Sequence, residues 1–85
     1  MELRLFHKIG EGGDESAAVR QFIVQNSLEN LVEFSNVAYD QASRDMFELA
    51  GPKAEAPVLL VDRRAIFGRS AIIDWFKTNI LVLRD

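Results

Sequence analysis

A continuous apolar stretch, residues 58–61, lies directly after Pro57. Proline fits the first residue of a strand because its missing N–H removes no ladder hydrogen bond there, and a Val/Leu run suits a strand buried on both faces. A second short apolar run, residues 65–67, follows after a polar turn. The pattern therefore predicts a strand that begins at Pro57 and an antiparallel partner strand close behind it.

Three other segments repeat their apolar residues at the spacing of a helix. The first extends from Asp14, a plausible N-cap, to about Gln25; the second is capped by Asp40 or Ser43; the third begins near Ser70. The residues expected on the apolar faces are Ala18, Val19, Phe22 and Ile23 in the first helix, Ala42, Met46, Phe47, Leu49 and Ala50 in the second, and Ile72, Trp75, Phe76 and Ile80 in the third.

Residues 3–8 and 31–37 predict two further strands, because the first segment is an alternating pattern with mixed faces and the second is a mixed apolar run. A helix between two strands lays them parallel through a right-handed crossover. The predicted order is β-α-β-α-β-β-α, an α/β fold in one domain over residues 1–85, with an apolar tail from residue 79 onward.

Composition and charge exclude several functions. The chain contains no cysteine, so disulfides, thiol redox chemistry and thiolate metal sites are not available to it. His7 is the only histidine and is expected to be a partly buried strand residue rather than a metal ligand. A net charge of -3 argues against nucleic-acid binding, and no apolar run is long enough to span a membrane. Charges within residues 1–8 argue against a signal peptide and predict a cytoplasmic location.

Three local patterns occur in the order and spacing of one known family. Residues 13–20 resemble a Cys-Pro-x-Cys segment that leads into helix one, residues 56–59 resemble a cis-proline segment, and residues 71–76 resemble the start of a last helix. Together they are similar to the thioredoxin-like superfamily, in its glutaredoxin form and in the N-terminal domain of glutathione transferases. The resemblance implies a four-stranded mixed sheet flanked by three helices and a cis peptide bond before Pro57. Gly13 and Ser16 stand at the two cysteine positions, so disulfide chemistry does not carry over.

The resemblance also implies a candidate binding edge, where the end of strand one, the start of strand three and the start of the last helix meet. Ala56 would offer its backbone N–H and C=O groups there to an extended peptide or tripeptide. No catalytic or metal-binding residue is assigned. The candidate ligand- or partner-binding residues are Gly13, Asp14, Glu15, Ser16, Ala56, Pro57, Arg69 and Ser70.

The side chains among these residues have simpler roles as alternatives. A serine in the first turn of a helix, such as Ser16, more often bonds to local backbone than to a ligand. Asp14 and Glu15 suit a helix N-terminus because the helix dipole favours negative charge there. Arg69 either receives a carboxylate or phosphate, or forms a surface ion pair with Asp14 or Glu15.

Three functional hypotheses follow. The first is a non-redox, non-enzymatic domain that binds a peptide or protein partner at the former active-site edge. The second is a transferase-like domain that binds glutathione or another small acid through Ser16 and Arg69. The third is an assembly module in which the apolar tail, residues 80–83, either forms a homodimer, the favoured alternative, or folds back onto its own domain.

Overall fold

A four-stranded mixed sheet with helices on both faces forms the frame of the protein in a computed structural model, which describes residues 1–83. Short 3₁₀ turns, Glu29–Leu31 and Leu81–Leu83, precede the second strand and follow the last helix. The strands are β1 (Leu3–His7), β2 (Val32–Asn36), β3 (Val58–Val61) and β4 (Arg64–Phe67), and the helices are α1 (Asp14–Gln25), α2 (Asp40–Ala50) and α3 (Arg69–Asn79).

The order of elements along the chain agrees with the sequence prediction, and the strands lie in the order β2-β1-β3-β4. β1 pairs with β2 in parallel and with β3 antiparallel, and β3 pairs antiparallel with β4. Leu5, at the centre of β1, lies between Phe34 of β2 and Leu59 of β3. Because β1 is central, its carboxyl end places His7 and the following loop in the middle of one sheet edge.

The two faces of the sheet carry separate hydrophobic clusters, because successive side chains of a strand point to opposite sides. Leu5 belongs to the cluster under α1 and α3, where Ile23 and Phe76 are fully buried. Phe6 belongs to the cluster under α2, together with Met46. The predicted stripe on the last helix is confirmed, with its two inner residues buried and the outer two partly buried against the core.

Helix α2 is fixed to the sheet by a polar contact in addition to its apolar face. Arg4 of β1 donates to Asp45 of α2 at 2.8 Å and to the Ser35 hydroxyl of β2 at 2.8 Å, and its guanidinium lies 4.6 Å from the centre of the Phe6 ring. Hydrogen bonds from Arg4 and then Gln41 lower the pKa of the Asp45 carboxyl. These contacts hold α2 in position over β1 and β2.

Several details of the helix ends differ from the sequence prediction. Gly13, not Asp14, occupies the N-cap position of α1 and, having no side chain, forms no side-chain cap; its backbone N–H donates to the Gly10 carbonyl at 2.9 Å. Neither Asp40 nor Ser43 caps α2 through its side chain. Helix α3 begins at Arg69, one residue earlier than predicted, and β3 begins at Val58, one residue after Pro57.

The predicted apolar face of α2 is wrong in part. Ala42 and Met46 are buried, four residues apart, but Phe47 and Leu49 are 43% and 51% exposed. The stripe at positions 42, 46 and 50 faces the sheet, and the helical spacing turns positions 47 and 49 away from it. Phe47 is therefore available to line a surface feature.

The first half of the apolar tail folds back onto its own domain. Ile80 and Leu81 pack against the cluster under α1 and α3, whereas Val82 and Leu83 are 59% and 81% exposed. The last two positions of the tail, 84 and 85, lie outside the described residues. Across residues 1–83, none of the helices has the length and apolar character needed to cross a membrane.

Candidate functional site

The loop that leads into β3 is tied to the start of α3. The Ala56–Pro57 peptide bond is cis, as the sequence resemblance predicted. Pro57 is buried, and its carbonyl accepts the Gly68 N–H at 3.2 Å. Two of the three segments expected at the binding edge are therefore in direct contact.

A groove with a volume of about 400 Å³ lies beside this loop. Its walls come from the loop after β1, from the residue that follows β2, from α2 and from the loop before β3, so it joins segments that are distant in sequence. A volume of this size falls within the usual range for ligand sites. The residues that line it are Lys8, Gly12, Val37, Ser43, Met46, Phe47, Ala54, Glu55 and Ala56.

Ala56 brings unpaired backbone groups to this groove. Within residues 1–83, neither its N–H nor its C=O forms a hydrogen bond, because the β3 ladder starts only at Val58. Ala56 is half-buried, and it lines the groove. A donor and an acceptor on one residue can both pair with the backbone of an extended peptide.

Gly13 is buried at the base of the loop before α1, in close contact with backbone. A Cβ atom placed on it would lie 2.6 Å from the Lys8 carbonyl oxygen and 3.1 Å from the Gly10 carbonyl oxygen. Real Cβ atoms do not approach backbone oxygen so closely, so only glycine fits here without a shift. The glycine allows the loop to fold tightly against the end of β1.

Ser16 has a structural contact of its own. Its side chain is only 1% exposed, and its hydroxyl oxygen accepts the Lys8 N–H at 3.0 Å. This contact favours the local backbone role over the ligand-binding role, because the hydroxyl is already engaged and lies beneath the surface. Ser16 thus fixes the residue whose side chain forms one wall of the groove.

Arg20 connects the same backbone to His7. One guanidinium nitrogen, Nη1, donates to the Lys8 carbonyl at 2.8 Å and lies 3.0 Å from Nδ1 of His7. Since a guanidinium group can only donate, Nδ1 is the acceptor and the imidazole proton is on Nε2. His7 is 6% exposed, and its ring meets the Phe34 ring edge-on at 5.7 Å. Burial and, second, the charge of Arg20 lower the pKa of His7.

The lowered pKa of His7 predicts a pH dependence of stability. The unfolded chain, with an ordinary imidazole pKa of about 6.5, takes up a proton before the folded chain does, so the free energy of unfolding falls as pH decreases through this window. Thermal unfolding of the wild type and of His7→Gln between about pH 8 and about pH 5 isolates this contribution. Equal pH dependence of the two proteins would contradict it.

The other candidate side chains remain at the surface. Asp14, Glu15, Arg69 and Ser70 are exposed and form no side-chain hydrogen bond or ion pair with the rest of residues 1–83. The alternative role of Arg69, an ion pair with Asp14 or Glu15, therefore is not found among residues 1–83. No cluster of His, Cys, Asp or Glu side chains suited to a metal ion is found in residues 1–83 either.

Most of the groove was not predicted from the sequence. The sequence pattern assigns Met46 and Phe47 to the apolar face of the second helix and gives Lys8 and Glu55 no place in a site. The position of Phe47, outside the stripe at 42, 46 and 50, was a usable signal that it faces elsewhere. Gly12 and Ala56 lie far apart in the sequence, and no local sequence pattern predicts that they line the same groove.

Comparison with known proteins adds no relationship. No protein-family model matches the sequence, and no curated protein is significantly similar to it. The function is therefore inferred from the groove and from the contacts around it.

Proposed function

We propose that this chain is a non-redox thioredoxin-like domain of the glutaredoxin type that binds an extended peptide or a protein segment at the groove beside Ala56. The observation that supports it most directly is the unpaired N–H and C=O pair of Ala56 on the groove wall. An extended segment that pairs with both groups gains two backbone hydrogen bonds regardless of its sequence. The strand order and the cis bond before Pro57 are compatible with the proposed fold family.

The chemistry of the groove supports binding rather than catalysis. The sequence has no cysteine, so the chain's own residues cannot exchange a disulfide. Met46, Phe47 and Val37 supply an apolar wall for a side chain of the partner, and Lys8 and Glu55 place one charge of each sign nearby. Such a mixture of apolar surface and a few polar groups is typical of recognition sites. The cytoplasmic location stays a prediction.

The small-acid alternative uses Ser16 and Arg69. Arg69 is exposed and without an ion-pair partner among residues 1–83, which suits a carboxylate ligand, but Ser16 is buried and its hydroxyl accepts the Lys8 N–H. The O–H of Ser16 is still free to donate, but the residue is only 1% exposed, so a glutathione thiolate has no open path to it. The geometry therefore favours the peptide over glutathione.

Selection from a phage-displayed library of random linear peptides, followed by chemical-shift mapping of an enriched peptide on the ¹⁵N-labelled chain, tests the proposal. We expect the largest shifts at Gly12, Phe47 and Ala56. A parallel titration with millimolar glutathione should leave these amides unchanged. Shifts with glutathione that cluster at Gly13, Ser16 and Arg69 would instead support the small-acid alternative, and the absence of any enriched peptide would count against the peptide proposal.

Replacement of Phe47 by Glu should weaken binding of the selected peptide about tenfold or more, because it places a charge on the apolar wall. Leu49→Glu is a matched control: it lies on the same helix and is similarly exposed, but it lines a cleft at the opposite end of the sheet. Fluorescence anisotropy with the labelled peptide measures both. An equal effect of the two substitutions would argue that the peptide binds outside the groove.

A further inference from the structure

Helix α1 holds both backbone polar groups of Lys8. The N–H donates to the Ser16 hydroxyl at 3.0 Å, and the carbonyl accepts from Arg20 at 2.8 Å. The same carbonyl lies against Gly13, and the Lys8 side chain lines the groove. The position of this groove wall therefore depends on contacts made one and two turns into α1.

The contact between Arg20 and His7 exists only while the imidazole is neutral. Protonation at Nδ1 replaces the acceptor with a second donor and puts two positive charges 3.0 Å apart in a partly buried place. The two groups must then separate. Because the same Nη1 atom of Arg20 also binds the Lys8 carbonyl, its departure removes that bond too.

The surroundings of His7 offer nothing that would offset the new charge. Helix α1 presents Arg20, β2 presents the Phe34 ring and the register partner Asn36, and the next residue of its own strand end, Lys8, is also cationic. Val37 contributes only its N–H, which donates to the His7 carbonyl. Among residues 1–83 no carboxylate contacts the ring. Movement of Arg20 is the available response.

We propose that His7 is a proton-controlled switch of the groove: its protonation releases Arg20 from the Lys8 carbonyl and loosens the wall that Lys8 and Gly12 form, which weakens partner binding in acid. The change in the wall follows from the contacts alone. Only the effect on binding rests on the proposed function, so the two parts can be tested apart.

A pH titration followed by NMR, from about pH 8 to about pH 5, tests the change in the wall without a ligand. We expect the amide shifts of Lys8 and Gly13 to move with the same midpoint as the His7 ring, and hydrogen exchange at the Lys8 N–H to accelerate by about tenfold beyond the ordinary pH effect. His7→Gln keeps an acceptor for Arg20 but does not titrate, so its Lys8 and Gly13 amides should stay in place. The proposed switch is wrong if the Lys8 and Gly13 amide shifts do not follow the His7 titration, or if they change equally in His7→Gln.

Arg20→Gln provides an independent variant that leaves His7 intact. A glutamine carries no charge and accepts as well as donates, so a protonated imidazole is tolerated beside it. We expect the pKa of His7 to rise in this variant, because the charge of Arg20 lowers it in the wild type. An unchanged His7 midpoint would show that Arg20 does not act on the imidazole, against the proposal.

Binding of the selected peptide at both ends of the same pH range tests the remaining step. Wild-type affinity should fall at least about threefold below the His7 midpoint, and the affinity of His7→Gln should not. If the Lys8 and Gly13 amides respond to pH but the wild-type affinity for the peptide stays constant, the link between the wall and binding is refuted. If no peptide binds at any pH, the proposed function fails, while the amide shifts still decide the switch.

Discussion

Gly13→Ala should destabilise the protein by about 1–3 kcal/mol, which is the usual cost of forcing an extra carbon into a closely packed site. The new Cβ would lie 2.6 Å from the Lys8 carbonyl oxygen. That oxygen cannot move freely, because Arg20 binds it and the Ser16 hydroxyl binds the N–H of the same residue. The strain therefore spreads to β1 and α1. A lower urea midpoint at unchanged slope would report it as a loss of stability.

Glu15→Ala is the matched control for this substitution. It lies in the same first turn of α1 but is exposed and has no side-chain contact in the described chain, so its effect should remain within about 0.5 kcal/mol. If Gly13→Ala is as stable as the wild type, the loop can relax and the Lys8 carbonyl is less firmly held than these contacts require. The contacts that hold the Lys8 backbone would then be too weak to support the proposed switch.

Gly13 and Ser16 acquire a common role from these contacts. The sequence resemblance places them at the two cysteine positions of the thioredoxin-like segment, yet both contact Lys8: one leaves room for its carbonyl and the other accepts its N–H. Positions that carry the cysteines in the thioredoxin-like segment, which this sequence resembles, here hold a groove wall. This arrangement is consistent with binding in place of redox chemistry.

Strands and helices could be predicted from the sequence because their signals are local. The apolar run after Pro57 and the stripe that contains Ile72 and Phe76 are periodic over a few residues, and both elements lie where the pattern indicated. The cis bond before Pro57 followed from the family resemblance and not from the pattern. Local periodicity decides which face is apolar and leaves the ends of elements less well defined.

The groove was harder to predict because it depends on contacts between distant segments. Lys8 and Ala56 line one groove although 48 positions separate them, and no spacing rule connects a loop after β1 with a loop before β3. Phe47 was misassigned because α2 carries more apolar residues than its buried stripe can use. Excess apolar residues on a short helix are the sequence feature that points to a surface site.

Removal of the tail after Asn79 should lower the free energy of unfolding by about 2–4 kcal/mol, since it uncovers the places where Ile80 and Leu81 pack against the core cluster. For a domain of this size the melting temperature should fall by roughly 10 °C or more. Calorimetry of the full chain and of the truncated chain measures the loss. A melting temperature that does not change would mean that the folded-back half of the tail adds nothing to the core.

Two point substitutions separate this fold-back from the predicted homodimer. Leu81→Ser removes a side chain that packs on the chain's own core and should lower stability at any protein concentration, whereas Leu83, 81% exposed, should tolerate Ser in a monomer. In a dimer formed through the exposed end of the tail, Leu83→Ser would instead shift light scattering toward the monomer and make the melting temperature depend on concentration. Two results together would exclude assembly through the tail and leave only the fold-back role. They are a full-length chain that is monomeric at high micromolar concentration and a Leu83→Ser variant as stable as the wild type.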